Sequence, residues 1–125
     1  MTEITEPKSR VLVVDDEPRI VRFVRTSLTA FGYEVITASN GEEALQLVSS
    51  KKPDIMVLDI VMPGIDGFEV LKRLRTSSDL PVIVFSARSS NLEKARSLGA
   101  DDFIIKPFLP EEMARRIGAV LDRKR

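Results

Sequence analysis

The sequence predicts an α/β domain of the flavodoxin-like (βα)5 kind, a doubly wound parallel sheet with strand order 2-1-3-4-5. Three observations predict it. Short apolar runs alternate with segments whose apolar residues recur at helical spacing, the mark of strands and crossover helices. Several runs are apolar without a break, as strands covered on both faces must be. Five alternations in 125 residues are too few for an eight-stranded barrel, which leaves an open sheet.

In order along the chain, residues 1–9 are polar and read as an N-terminal tail. Val11-Leu12-Val13-Val14 is the first strand. Pro18 then opens a helix, where its missing N–H costs no hydrogen bond, and Ile20, Phe23, Val24, Leu28 and Phe31 form its stripe. Gly32 stands where a helix C-terminal glycine belongs. Glu34–Ala38 is a weaker second strand, followed by a helix carrying Ala44, Leu45 and Val48. Ile55-Met56-Val57-Leu58 is the third strand, with Phe68, Leu71 and Leu74 on the next helix. Val82-Ile83-Val84-Phe85 is the fourth strand, and Leu92, Ala95 and Leu98 mark a short fourth helix closed by Gly99. Asp102–Ile105 is the fifth strand. Pro110 opens the last helix, with Met113, Ile117, Val120 and Leu121 on its apolar face. The domain is therefore placed at residues 10–121, with 122–125 a C-terminal tail or the start of a linker.

Composition narrows the function. The chain has no cysteine and no histidine, which excludes a disulfide framework, thiolate chemistry and the usual zinc site. Basic and acidic residues balance at 19 each, so the basic excess of a nucleic-acid-binding domain is missing. No apolar run approaches the roughly 18 residues of a membrane span, and the first residues lack the apolar stretch of a signal peptide. The expectation is a cytoplasmic domain that by itself binds neither nucleic acid nor membrane.

In such a sheet, ligands bind beyond the carboxyl ends of the strands, near the point where the strand order reverses. The first strand ends in Asp15-Asp16-Glu17, the third in Asp59, the fourth in Ser86 and the fifth in Lys106-Pro107. The second ends in Ser39-Asn40, off to one side. Like charges repel by about 4 kcal/mol per pair at about 4 Å and an effective dielectric of about 20, so clustered carboxylates need a cation. Oxygen ligands without Cys or His select a hard ion, Mg2+ or Mn2+. A strand-end carboxylate can also attack phosphorus and form an aspartyl phosphate, with a metal neutralising the transferring group. Ser86 would give phosphoryl oxygens an O–H donor and Lys106 a compact positive charge. The Lys106-Pro107 bond is a candidate cis peptide, which makes Pro107 a candidate cis-proline. Each residue also has a plainer reading. Asp15-Asp16 could cap the first helix, Asp59 the turn after its strand, and Ser86 and Lys106 could be turn and surface residues. Convergence of all four strand ends favours the site.

At these motifs the chain resembles the receiver domains of two-component response regulators, over residues 10–121. The resemblance rests on Val13-Val14-Asp15-Asp16-Glu17, Leu58-Asp59-Ile60-Val61-Met62-Pro63-Gly64-Ile65-Asp66-Gly67, Ser86-Ala87-Arg88, and Gly99-Ala100-Asp101-Asp102-Phe103-Ile104-Ile105-Lys106-Pro107-Phe108. It implies that Asp59 takes a phosphoryl group from a sensor histidine kinase or phosphotransfer protein. It implies that Asp16, Asp59 and the backbone carbonyl of Val61 ligate Mg2+, with Asp15 acting through water. It implies that Lys106 binds a phosphoryl oxygen, and that Ser86 and Phe103 form a switch pair. Asp101-Asp102-Phe103, Lys106-Pro107-Phe108, Glu112 and Arg116 also look like the OmpR/PhoB branch. That branch pairs receivers into phosphorylation-dependent homodimers through helix four, strand five and helix five, and usually adds a DNA-binding output domain. The segment from Arg88 to Leu98 is shorter than that branch's norm, and Gly118 and Asp122 are atypical of it.

Rival readings fit less well. A stand-alone single-domain regulator has the same motifs, and so does a degenerate receiver that only binds partners. A haloacid-dehalogenase-type phosphatase would need a second Asp two residues after the nucleophile, where Val61 stands. A nucleotide- or flavin-binding domain would need a glycine-rich first loop in place of Asp15-Asp16-Glu17-Pro18. The reading is thus a signalling domain and not an enzyme, although it takes part in its own phosphorylation and dephosphorylation.

Overall fold

The structure is a computed structural model and describes residues 8–124. All of the predicted N-terminal tail except Lys8 and Ser9 lies outside the described residues. The elements are β1 (Arg10–Val14), α1 (Pro18–Ala30), β2 (Glu34–Ala38), α2 (Gly41–Lys51), β3 (Ile55–Asp59) and α3 (Gly67–Arg75). They continue with β4 (Val82–Ser86), a 3-10 turn (Ser89–Asn91), α4 (Leu92–Ser97), β5 (Asp102–Ile105) and α5 (Pro110–Arg123). Five strands form one parallel sheet in the order β2-β1-β3-β4-β5, as the sequence predicts.

Side chains along a strand point alternately to opposite faces, and here both faces are apolar. Val11, Val13, Ile55, Val57, Ile83 and Phe85 pack with Val24, Leu28, Met113, Ile117 and Val120, which places α1 and α5 on one face. Leu12, Val14, Met56, Leu58, Val82 and Val84 pack with Ala44, Val70, Leu71, Leu74 and Ala95, which places α2, α3 and α4 on the other. This is why the central runs show no polar alternation.

Local signals set the helix ends. Pro18 and Pro110 occupy first-turn positions of α1 and α5. The Asn40 side chain accepts from the Glu43 N–H at 2.8 Å and Asp66 from the Glu69 N–H at 2.9 Å, capping α2 and α3. Gly32 and Gly99 adopt the left-handed φ of +95° and +102° that follows a helix end.

Three details differ from, or sharpen, the sequence expectation. Of the α1 stripe only Val24 and Leu28 are fully buried, while Phe23 and Phe31 are half exposed. Phe23 covers the Phe108 ring at 6.2 Å instead of entering the core. The fourth helix is indeed short, six residues behind a 3-10 turn. Helix α5 runs to Arg123, two residues into the predicted tail, and Lys124 beyond it pairs with Asp101 at 3.2 Å. Among the described residues no helix is long and apolar enough to cross a membrane.

Candidate functional site

The strand register brings the predicted residues to one edge. Val14 lies opposite Leu58, so Asp15, next in the chain, stands beside Asp59. Ser86 lies opposite Ile105, so Lys106 follows directly at that end. The Asp15 N–H donates to the Ala38 carbonyl at 3.2 Å and the Lys106 N–H to the Ser86 carbonyl at 2.9 Å, so both residues extend the sheet ladder and are held by it.

Asp15 and Asp59 are buried, and Asp16 is exposed. Asp15 Oδ1 accepts from the Glu17 N–H at 2.9 Å, and Oδ2 accepts from Lys106 Nζ at 3.0 Å. Helix α1 begins at Pro18 with Glu17 as its N-cap residue and has no side-chain cap bond, so the plainer reading of Asp15-Asp16 as its cap does not describe this bond pattern. Asp59 Oδ1 accepts from the Ile60 N–H at 2.9 Å and lies 3.4 Å from Lys106 Nζ. The Ile60 bond is the local contact that the plainer reading of Asp59 expects at the turn after β3, and the Lys106 contact goes beyond it.

Lys106 thus bridges two buried carboxylates. Its Nζ also sits 4.5 Å from the centre of the Phe85 ring, whose π face favours a cation. Phe85 is fully buried and meets Phe108 edge-on at 6.1 Å, which fixes that platform. The Lys106-Pro107 peptide is cis.

One ammonium cannot neutralise three carboxylates. Burial pushes the Asp59 carboxyl up from its ordinary 3.8 to about 6; Lys106 opposes this rise, Asp15 adds to it, and the Ile60 N–H opposes it. Asp15, Asp16 and Asp59 each offer a carboxylate oxygen, all within 4.8 Å of one another. An all-oxygen set of two buried carboxylates and one exposed suits a hard divalent ion that keeps part of its water. The residues present therefore fit Mg2+.

Ser86 is buried, and its Oγ accepts from the Arg88 N–H at 3.2 Å and from Asn91 Nδ2 at 3.0 Å. Its hydroxyl is tied to the loop after β4. Phe103 is only 8% exposed and packs in the core on the α2, α3 and α4 face. Val61 is 70% exposed and Arg88 is exposed, so both face solvent beside the site.

Two participants escaped the sequence reading. Asn91 reaches Ser86 across five positions of an irregular loop, and no periodic pattern marks such a pair. Phe85 reads only as the last apolar residue of a strand, and nothing local indicates that a lysine from the neighbouring strand will lie on its ring.

A family model described as "Response regulator receiver domain" matches residues 11–118. The chain is 48% identical over 118 residues to "Probable transcriptional regulator ycf27" of Porphyra purpurea, covering 93% of this chain and 49% of that protein. It is 44% identical over 117 residues to "Alkaline phosphatase synthesis transcriptional regulatory protein PhoP" of Bacillus subtilis (strain 168), covering 91% and 49%. The chain therefore spans about half the length of the curated relatives it matches. Among solved structures, the receiver domain of Francisella response regulator 1452 superposes with a TM-score of 0.89 at 34% identity, covering 94% of this chain and 100% of that one. The response regulator TrrA of Thermotoga maritima, in complex with Mg2+ and BeF, gives 0.83 at 39% identity, covering 90% and 98%.

Proposed function

The chain belongs to the response regulator receiver domain family, and from that premise we propose that Asp59 is its phosphoryl acceptor. The observation that carries the reading is the cluster of Asp15, Asp16 and Asp59 bridged by Lys106 at the carboxyl ends of the central strands. Asp59, with its carboxyl pushed up to about 6, is still mostly ionised near neutral pH and can act as a nucleophile. Its oxygen attacks the phosphorus of a phosphohistidine on a sensor histidine kinase or phosphotransfer protein. The P–N bond breaks, and the imidazole leaves with the electron pair.

Asp16, Asp59 and the Val61 carbonyl would hold Mg2+, with Asp15 acting through water. When bound, the ion supplies positive charge to the transferring phosphoryl group. Lys106 exchanges part of its pairing with Asp59 for a phosphoryl oxygen, and the Ile60 N–H keeps the Asp59 carboxyl oriented. Ser86 turns its hydroxyl from the loop to the phosphoryl group. In the switch pair of Ser86 and Phe103, the hydroxyl is the moving part, because Phe103 is already buried.

The domain proper is proposed to be residues 10–121, and α5 itself runs on to Arg123. The relatives are transcriptional regulators about twice as long, which supports control of a DNA-binding output region outside this chain. The surface that carries the signal is the α4, β5 and α5 face, where Arg116 pairs with Asp102 and Glu112. It would serve a phosphorylation-dependent homodimer in the cytoplasm. Incubation with Mg2+ and acetyl phosphate or phosphoramidate, read by intact mass, tests the acceptor. Asp59→Ala should abolish the phosphoryl adduct, and an adduct of unchanged yield overturns the assignment.

A further inference from the structure

We propose that Asn91 is a positioning residue that holds the Ser86 hydroxyl away from the acceptor, and that its release lets the same side chain cap α4. The proposal rests on the reading of Asp59 and Ser86 given above.

A serine hydroxyl has two acceptor sites and one proton to donate. Both acceptor sites of Ser86 are met from the loop, by the Arg88 N–H and by Asn91 Nδ2. Those two bonds leave the hydroxyl proton free; what they hold is the oxygen itself. In the reading above that oxygen leaves the loop to serve a phosphoryl group on Asp59, so both bonds are lost when it moves. The Arg88 contact comes from two residues along the chain, as in any serine turn. The Asn91 contact is the one a side chain supplies, and Asn91 is half-buried against the fully buried end of β4.

Asn91 also stands at the position just before α4. Asparagine is among the best residues for capping a helix there, yet its side chain makes no cap bond to α4. Its backbone is helical, at φ −79° and ψ −10°, whereas Asn40 and Asp66, which do cap, are extended. The Asn91 amide is used on Ser86, in a helical backbone geometry that is not the extended one of a capping residue. When Ser86 leaves, Asn91 can turn to the extended region and cap α4, opening the 3-10 turn of Ser89–Asn91 that it now closes and freeing the Leu92 N–H from the Ser89 carbonyl. The pair is thus a two-state element, linking the acceptor hydroxyl to the start of α4.

The test is titration of the 125-residue chain with beryllofluoride and Mg2+, read from backbone amide shifts of β4. Asn91→Ser keeps a capping oxygen but is too short to reach Ser86. It should bind about 2- to 10-fold more tightly than wild type, the range set by one neutral hydrogen bond removed from the competing state. Asn91→Ala loses both the hold and the cap, so its gain should be smaller than that of Asn91→Ser. In a Ser86→Ala background, Asn91→Ser should change nothing, which a merely structural role for Asn91 would not reproduce. Unchanged or weaker binding by a folded Asn91→Ser overturns the proposal, as does an equal effect in the Ser86→Ala background. Absence of binding by the wild type would instead overturn the acceptor reading, and this proposal with it.

Discussion

Replacing Asp59 by Asn should stabilise the metal-free domain at neutral pH, and the gain should vanish in acid. The folded protein binds a proton at Asp59 more tightly than the unfolded chain does, because the carboxyl is raised from 3.8 to about 6. A raised carboxyl means that its ionised form costs stability. That cost is complete above the folded value, shrinks as the pH falls through about 6, and is gone below 3.8. The shift of roughly two units, at about 1.4 kcal/mol each, sets an upper bound of about 3 kcal/mol. Asn keeps the acceptor oxygen for the Ile60 N–H, and Lys106 retains Asp15 as its partner. A gain of about 1–3 kcal/mol is therefore expected for Asp59→Asn at pH 7, falling to near zero by about pH 4. Urea denaturation of both proteins in EDTA across this range measures it. A destabilised Asn variant at pH 7, or a gain that ignores pH, would refute the argument that burial of charge dominates at Asp59.

Three further outcomes follow from the same geometry. Asp16→Asn should abolish Mg2+-dependent adduct formation while leaving metal-free stability unchanged or slightly higher, because it relieves repulsion; clear destabilisation in EDTA would make Asp16 a structural residue. Val61 and Arg88 stand two residues beyond Asp59 and Ser86 and are exposed, and at a phosphorylated Asp59 neither an apolar side chain nor a long one would help a water attack. Val61→Asn with Arg88→Ala should speed loss of the phosphoryl group about 2- to 10-fold, the worth of one new hydrogen bond to that water, and unchanged or slower decay sinks the idea. A Cβ on Gly67 would lie 2.4 Å from the Asp59 carbonyl oxygen and 2.8 Å from Ile60 Cα, both backbone atoms. Gly67→Ala should then cost about 1–3 kcal/mol in urea denaturation as the α3 start is pushed off β3, and an unmoved midpoint would show that the loop relaxes freely.

How much was legible depends on how local the cause is. The runs at 11–14, 55–58 and 82–85 announced buried central strands because both sheet faces are covered. Asp15, Asp59, Ser86 and Lys106 were legible because strand order alone dictates which ends meet. The brevity of α4 followed from counting residues between β4 and Gly99. The half-exposed Phe23 and Phe31 were not legible, since a helical stripe does not tell how far the neighbouring helix reaches around it. The caps at Asn40 and Asp66 carried a local sign, a Glu three residues on in each case. Arg75 shows the opposite limit. Its guanidinium donates to the Leu80 and Gly99 carbonyls at 2.7 Å each and lies 3.4 Å from Asp101, joining the end of α3 to the start of β5. No spacing in the sequence signals a partner 24 residues away. The Asn91 to Ser86 bond and the Phe85 platform fail to show for the same reason.

The central claim is the identity of the acceptor, and locating the acyl phosphate in the wild-type chain tests it most directly. The protein is incubated with Mg2+ and a small phosphodonor, the acyl phosphate is trapped by borohydride reduction, and the reduced residue is mapped by tandem mass spectrometry. The account predicts reduction at Asp59 alone, dependent on Mg2+ and absent from Asp59→Ala. Reduction at Asp15 or Asp16 in place of Asp59, or no acyl phosphate at all, would contradict it.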